Sequence, residues 1–191
     1  MVKTKSGSSW VKWANTNAKN STKLSDLNAG FKTNVDAFIA ALKAGGATVT
    51  INTTKRSDKR AYLFHWSWKI SQGKVKAKDA TAMADVDIEW DHGTEKASKA
   101  GAKEMVTGFG LAVPPKSTVA PSLTSNHISG KAVDMVITWK GEMSIKDKTG
   151  KTKKITYMSN VNSNTALHNV GATYGVKKLT SDAPHWSHNG R

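Results

Sequence analysis

The stretch from Ala132 to Trp139 constrains the fold most. Val133, Met135, Ile137 and Trp139 alternate with Ala132, Asp134, Val136 and Thr138. Successive side chains of a strand leave opposite faces, so the large apolar residues share one face and Asp134 takes the other. The small side chains of Ala132 and Val136 beside it leave room for a ligand. Gly130 lets the preceding chain fold back, so that His127, seven positions before Asp134, reaches the same spot. Imidazole plus carboxylate is a ligand pair that suits zinc.

The segment Asp182-Ala183-Pro184-His185-Trp186 supplies what that pair lacks. His185 completes a His/Asp/His set and leaves one coordination position for water, as catalytic zinc sites do. Asp182, three residues earlier, is placed to act as general base. Either half alone is a weak signal. A lone His-x6-Asp is usually structural, and His92, His168 and His188 also have acidic or polar neighbours. The specificity comes from both halves occurring in order, together with Ser125, Gly130 and Ala132.

S-x-H-x-x-G-x-A-x-D followed by acid-x-x-H-W resembles the zinc peptidases that cut peptidoglycan stem peptides. These are the D-alanyl-D-alanine carboxypeptidases and the L-alanyl-D-glutamate endopeptidases, which include many bacteriophage endolysins. The resemblance extends from about the helix before Gly45 to the C-terminus. It implies His127, Asp134 and His185 as ligands of one Zn²⁺ per chain, with Asp182 as base. It also implies the compact fold shared by these peptidases and the hedgehog signalling domain. In the family an arginine at a strand end points at the scissile carbonyl. Arg56, directly after a strand expected over Ala47 to Thr54, is the candidate for stabilising the oxyanion, with Arg60 the runner-up. The structural alternative for Arg56 is a surface cap. Ser125 would hydrogen-bond substrate or hold the motif's turn, and Trp186 would wall the pocket.

Composition narrows the remaining classes. Within 191 residues there is length for a real core, and 38% hydrophobic content with seven tryptophans argues against disorder. The absence of cysteine removes disulfides, thiolate zinc sites and cysteine nucleophiles together. Net charge is +15, yet only Arg56, Arg60 and Arg191 are arginines among the 29 basic residues. Readers of specific nucleic-acid sequence lean on the arginine fork. Scattered lysine instead suits diffuse attraction to a polyanion, including the phosphates of a bacterial cell envelope. No apolar run reaches the length of a membrane span, and no signal-peptide core follows the first lysines. The expectation is a protein made in the host cytoplasm, released by another route such as a phage holin, and acting on the cell wall as a monomer.

Other segments set the domain plan. Residues 1–24 read as a basic arm docked by Trp10 and Trp13, and residues 25–191 as one catalytic domain. Leu27, Phe31, Val35, Phe38 and Leu42 mark one helical face, capped by Ser25 and stopped by Gly45-Gly46. Further helices are expected over Asp58 to Gln72, Thr94 to Thr107 (ended by Gly108) and Ser163 to Tyr174. His65 within the first of these reads as a packed core histidine. Asp85, Asp87, Glu89 and Asp91 line one face of an extended segment, and charge balance is favoured over a second cation site. A lysine-rich hairpin with its turn near Lys148 to Gly150 follows Trp139, and Val176 to Leu179 re-enters the sheet. Helices interspersed with hairpin-linked strands give an α+β class with a mostly antiparallel central sheet and flanking helices. Two functions from different classes follow. One is a zinc peptidase of peptidoglycan, as endopeptidase or as D-alanyl-D-alanine carboxypeptidase. The other is a non-catalytic basic binding module on the same fold.

Overall fold

The computed structural model describes residues 3–191. In chain order the first elements are β1 (Thr4–Lys5), α1 (Ser8–Asn17), α2 (Ala29–Ala44), β2 (Thr48–Thr53), α3 (Asp58–Ser71) and β3 (Ile88–Glu89). They are followed by α4 (Glu95–Phe109), β4 (Ala132–Thr138), β5 (Glu142–Lys146), β6 (Thr152–Thr156), α5 (Thr165–Thr173), β7 (Lys177–Lys178) and β8 (His185–Ser187). Contacts divide the chain into two compact units, one of residues 1–19 and 57–124, the other of 20–56 and 125–191. The expected boundary at residue 24 therefore falls elsewhere. Among the described residues no helix is long and apolar enough to cross a membrane.

The unit of residues 20–56 and 125–191 is built on a four-stranded sheet in the order β2-β4-β8-β7, antiparallel at every step. The alternation in β4 is realised: Val133, Met135, Ile137 and the following Trp139 are buried, whereas Val136 and Thr138 are exposed. Against the apolar face lie Phe31, Val35, Phe38 and Leu42 of α2 and Leu167 and Val170 of α5, in one core with Met143, Ile145 and Ile155 of the β5–β6 hairpin. The α2 helix begins after Asn28 rather than at Ser25, because Leu24–Asp26 forms a separate 3-10 turn. It ends where Gly46 takes a left-handed φ of 91° and Ala47 N donates to Leu42 O at 3.0 Å. Gly171 lets α5 close on the sheet, since a Cβ there would sit 2.7 Å from the Trp186 ring.

The other unit has its own core. Trp10 and Ala14 of α1, Tyr62, Leu63, Trp66 and Ile70 of α3, and Ala102 and Met105 of α4 pack with Val86, Ile88 and Trp90. β1 pairs in parallel with β3. The N-terminal segment is thus a strand and a helix of this unit, not an arm. Its stability comes from burying one apolar stripe of a polar helix, because 10 residues are too few for α1 to stand alone. Thr94 caps α4 by accepting from Ala97 N at 3.2 Å, and the left-handed C-cap is Gly110, two residues beyond the expected Gly108.

Candidate metal centre

Three segments converge on the polar face of the sheet. Asp134 of β4 lies opposite His185 of β8, and directly paired residues on neighbouring strands project to the same side. His127 comes from the turn before β4, where Ile128 N donates to Ser125 O and Lys131 N to Asn126 O, at 3.0 and 2.7 Å. Gly130 closes that turn at a φ of 67°, a conformation that costs a residue with a Cβ. A Cβ there would also lie 2.8 Å from Asn28 N, which donates to Gly130 O. The motif's glycine therefore docks the His127 turn on the start of α2.

The three side chains form a nearly equilateral triangle. His127 Nε2 lies 3.1 Å from Asp134 Oδ1 and 3.1 Å from His185 Nδ1, and His185 Nδ1 lies 3.2 Å from Asp134 Oδ1. Both imidazoles are buried, at 3% and 7% exposure. Their remaining nitrogens are anchored, His127 Nδ1 on Thr54 O at 3.0 Å and His185 Nε2 on the main-chain oxygen of Arg191 at 3.1 Å. A carbonyl can only accept, so these nitrogens carry the protons, and each neutral ring turns a lone pair into the triangle. Two lone pairs and a carboxylate oxygen at such distances repel unless a cation joins them. Tetrahedral donors at about 2.0–2.1 Å from zinc stand roughly 3.3 Å apart, which matches the observed edges. The donor set fits a divalent metal, and the N–H-to-carbonyl anchors are the outer contacts that orient metal-binding histidines. Without a metal the triangle can be joined only by protons on the facing imidazole nitrogens. In that form burial pushes the Asp134 carboxyl up, but hydrogen bonds from both rings and attraction to their charge prevail and hold it well below the ordinary carboxylate range.

The other expected residues divide. Arg56 follows β2, its main-chain N–H donates to His127 O at 3.1 Å, and it is half-buried. Burial pushes its guanidinium below the ordinary arginine range, and the charges of Asp134 and Asp182 offset this only in part. Asp182 lies in the exposed turn between β7 and β8, where its carbonyl accepts from His185 N at 3.1 Å. Arg60 is not at the site. It donates to Ala14 O and Ala18 O at 3.0 and 3.3 Å and to Asn15 Oδ1 at 2.8 Å, closing the C-terminal end of α1 in the other unit. Ser125 Oγ is buried without a protein hydrogen bond, so the turn is held by the Ser125 carbonyl and not by its hydroxyl.

Trp186 does not wall the pocket. It follows His185 in β8 and points to the opposite face, fully buried, with ring centroids 5.5 Å from Phe38 and 5.8 Å from His168. Its role is core packing, and truncation to alanine would cost about 3–5 kcal/mol of stability.

Lys178 was not among the expected site residues. It is 8% exposed and pairs with Trp186 across β7 and β8. Its Nζ donates to the carbonyls of Leu179, Asp182 (2.5 Å) and His185 (3.2 Å). The signal for it was its spacing: Lys178 stands two residues from the buried Val176, on the inward register of the strand.

No protein-family model, curated protein or solved structure matches this chain.

Proposed function

We propose that this chain is a zinc-dependent peptidase of bacterial peptidoglycan, of the endolysin type, hydrolysing an amide bond in the stem peptide or cross-link. The observation that carries the reading is the buried His127, Asp134 and His185 triangle, with both imidazoles oriented by carbonyl anchors. An antiparallel sheet with its ligands on one face and helices packed on the other supports a hedgehog/DD-peptidase-like fold.

A bound zinc ion would supply Lewis acidity and an acidified water at neutral pH. Around it, this chain's residues have distinct tasks. The Asp182 carboxylate accepts the proton of the attacking water and delivers it to the leaving amine. The Arg56 guanidinium donates to the carbonyl oxygen on which negative charge develops. The Ser125 hydroxyl, buried without a protein partner, reaches the substrate backbone only once its side chain turns outward. The net charge of +15 draws the protein, made in the host cytoplasm, to the anionic polymers of the envelope after release.

The test is digestion of purified peptidoglycan with zinc-loaded and chelator-treated protein, followed by mass spectrometry of the fragments. Expected are new amine termini within the stem peptide or cross-link, lost with chelator and regained with zinc. Release of free D-alanine alone would make it a carboxypeptidase. Intact peptidoglycan with zinc-loaded protein would leave the binding-module alternative.

A further inference from the structure

We propose that Lys178 is a positioning residue: its ammonium, held by the carbonyls of Leu179, Asp182 and His185, sets the turn that carries both His185 and Asp182. The turn role rests on the proposed peptidase site. The part concerning metal affinity needs only the ligand triangle.

A lysine ammonium has three donors, and three main-chain oxygens of one short turn meet it here. The turn's own bonds run between the same residues: Asp182 N to Leu179 O at 3.2 Å, His185 N to Asp182 O at 3.1 Å and Leu179 N to His185 O at 3.1 Å. Each of the three carbonyls therefore accepts from one N–H and from the ammonium. Removal of the cation leaves three converging oxygens, that of His185 buried and those of Leu179 and Asp182 part-buried, with half of their partners gone. The turn would open to rehydrate them. Its two ends are the start of β8, which presents His185, and the segment with Asp182, so opening it would move a ligand and the proposed base together.

A lysine that only filled space in this position would be replaced with advantage by methionine, since the side chain starts on the core face, with Nζ 5.8 Å from the Trp186 ring centroid. The pairing of Lys178 with Trp186 explains how it reaches the turn. The stem runs along the indole, and only its tip meets polar atoms. Outer contacts of this kind typically cost 10–100-fold in metal affinity or activity when removed.

The test uses Lys178→Met and Lys178→Cys in the full chain. Because the protein contains no cysteine, alkylating unfolded Lys178→Cys with 2-bromoethylamine rebuilds an ammonium at position 178 alone. Refolded material is compared with wild type taken through the same steps. The readouts are zinc Kd by chelator competition, kcat and KM on a stem peptide, and hydrogen exchange across residues 179–185. Lys178→Met is expected to bind zinc about 10–100-fold more weakly and to lose kcat by a similar factor with KM little changed. Exchange across the turn should accelerate, and aminoethylation should return all three towards wild type. If Lys178→Met fails to fold, Lys178→Arg keeps a buried cation whose planar fork cannot match three convergent carbonyls, and the same losses are expected. A folded Lys178→Met with wild-type zinc affinity and kcat overturns the proposal. So does aminoethylation that restores the melting temperature but neither zinc affinity nor exchange protection. A wild-type protein that binds zinc yet cleaves no stem peptide would instead overturn the peptidase reading, while zinc affinity and exchange still decide Lys178.

Discussion

In the sheet unit, His127 and His185 use both ring nitrogens, one on a main-chain carbonyl and the other in the triangle with Asp134. In the helical unit, His65 Nδ1 meets Pro121 O at 2.8 Å and His92 Nε2 meets Ser6 Oγ at 3.0 Å. His92 directly follows Asp91 in the chain, yet the Asp91 carboxylate accepts from Gly93 N instead. Among the described residues, the set that could hold a metal ion is His127, Asp134 and His185. Proximity to an acid in sequence therefore does not make a histidine a ligand. What could hold a metal ion is two anchored rings and a carboxylate brought together on one face of a sheet. The arginines divide in the same way, with Arg56 within the field of Asp134 and Asp182 and Arg60 closing a helix.

The largest effect should come from the histidines. His127→Ala removes a metal donor and should abolish zinc binding and peptide hydrolysis together, with loss of the zinc-dependent rise in melting temperature. His92→Ala should leave zinc content and turnover unchanged. Zinc content by elemental analysis, with activity on a stem peptide, checks both. Loss of zinc in His92→Ala would break the contrast between the units.

Next in size is Asp182→Asn, which keeps the shape of the side chain but cannot accept a proton. Zinc should remain bound and turnover should fall by about 10²–10⁴-fold, the usual scale for a lost general base. If Asp182 serves only the turn, the melting temperature falls instead, and the rate per folded molecule stays normal.

The arginine pair sharpens the contrast further. Arg56→Ala should lower kcat by about 10²–10³-fold, the cost of one donor to a developing oxyanion, with the melting temperature little changed. Arg60→Ala should do the reverse. Loss of its hydrogen bonds at the end of α1 should destabilise by roughly 1.5–3 kcal/mol, with kcat of the folded fraction unchanged. Denaturant titration and steady-state kinetics on both variants read the two axes separately.

What could be read from the sequence was whatever is local. The alternation of β4 and the His127-to-Asp134 spacing lie within one strand and its turn, so period and spacing suffice. His185 was found by chain order, and the antiparallel sheet by the interspersed strands. The helical unit was hidden because it is discontinuous. The apolar stripe of α1, Trp10 and Ala14, is short and set among polar residues, and its partners on other helices begin only at Tyr62. The α2 cap moved from Ser25 because Leu24–Asp26 forms its own turn. Trp186 cannot wall the pocket, because it adjoins His185 in a strand and successive side chains leave opposite faces. The Lys178 partners are carbonyls of a turn, which no side-chain pattern encodes.

The smallest expected effect concerns the acidic row of Asp85, Asp87, Glu89 and Asp91, and it decides whether metal binding is confined to one unit. Asp85 is paired with Lys59 Nζ at 3.0 Å and its side chain is 81% exposed, which is the geometry of a weak surface ion pair. It also sits at a left-handed φ of 58°, a conformation that asparagine tolerates as well as aspartate does. Asp85→Asn should therefore change unfolding free energy by no more than about 0.5 kcal/mol, within the range of surface substitutions. If the row serves charge balance, millimolar calcium should leave the melting temperature of the wild type unchanged. A cation site would behave differently: calcium would raise the melting temperature in proportion to the logarithm of its excess over Kd, and Asp85→Asn would weaken that rise. Melting curves with and without calcium, in zinc-saturated protein so that the sheet unit is constant, separate the outcomes. A calcium-dependent rise lost in Asp85→Asn would give the helical unit a metal site of its own and end the contrast between the two units.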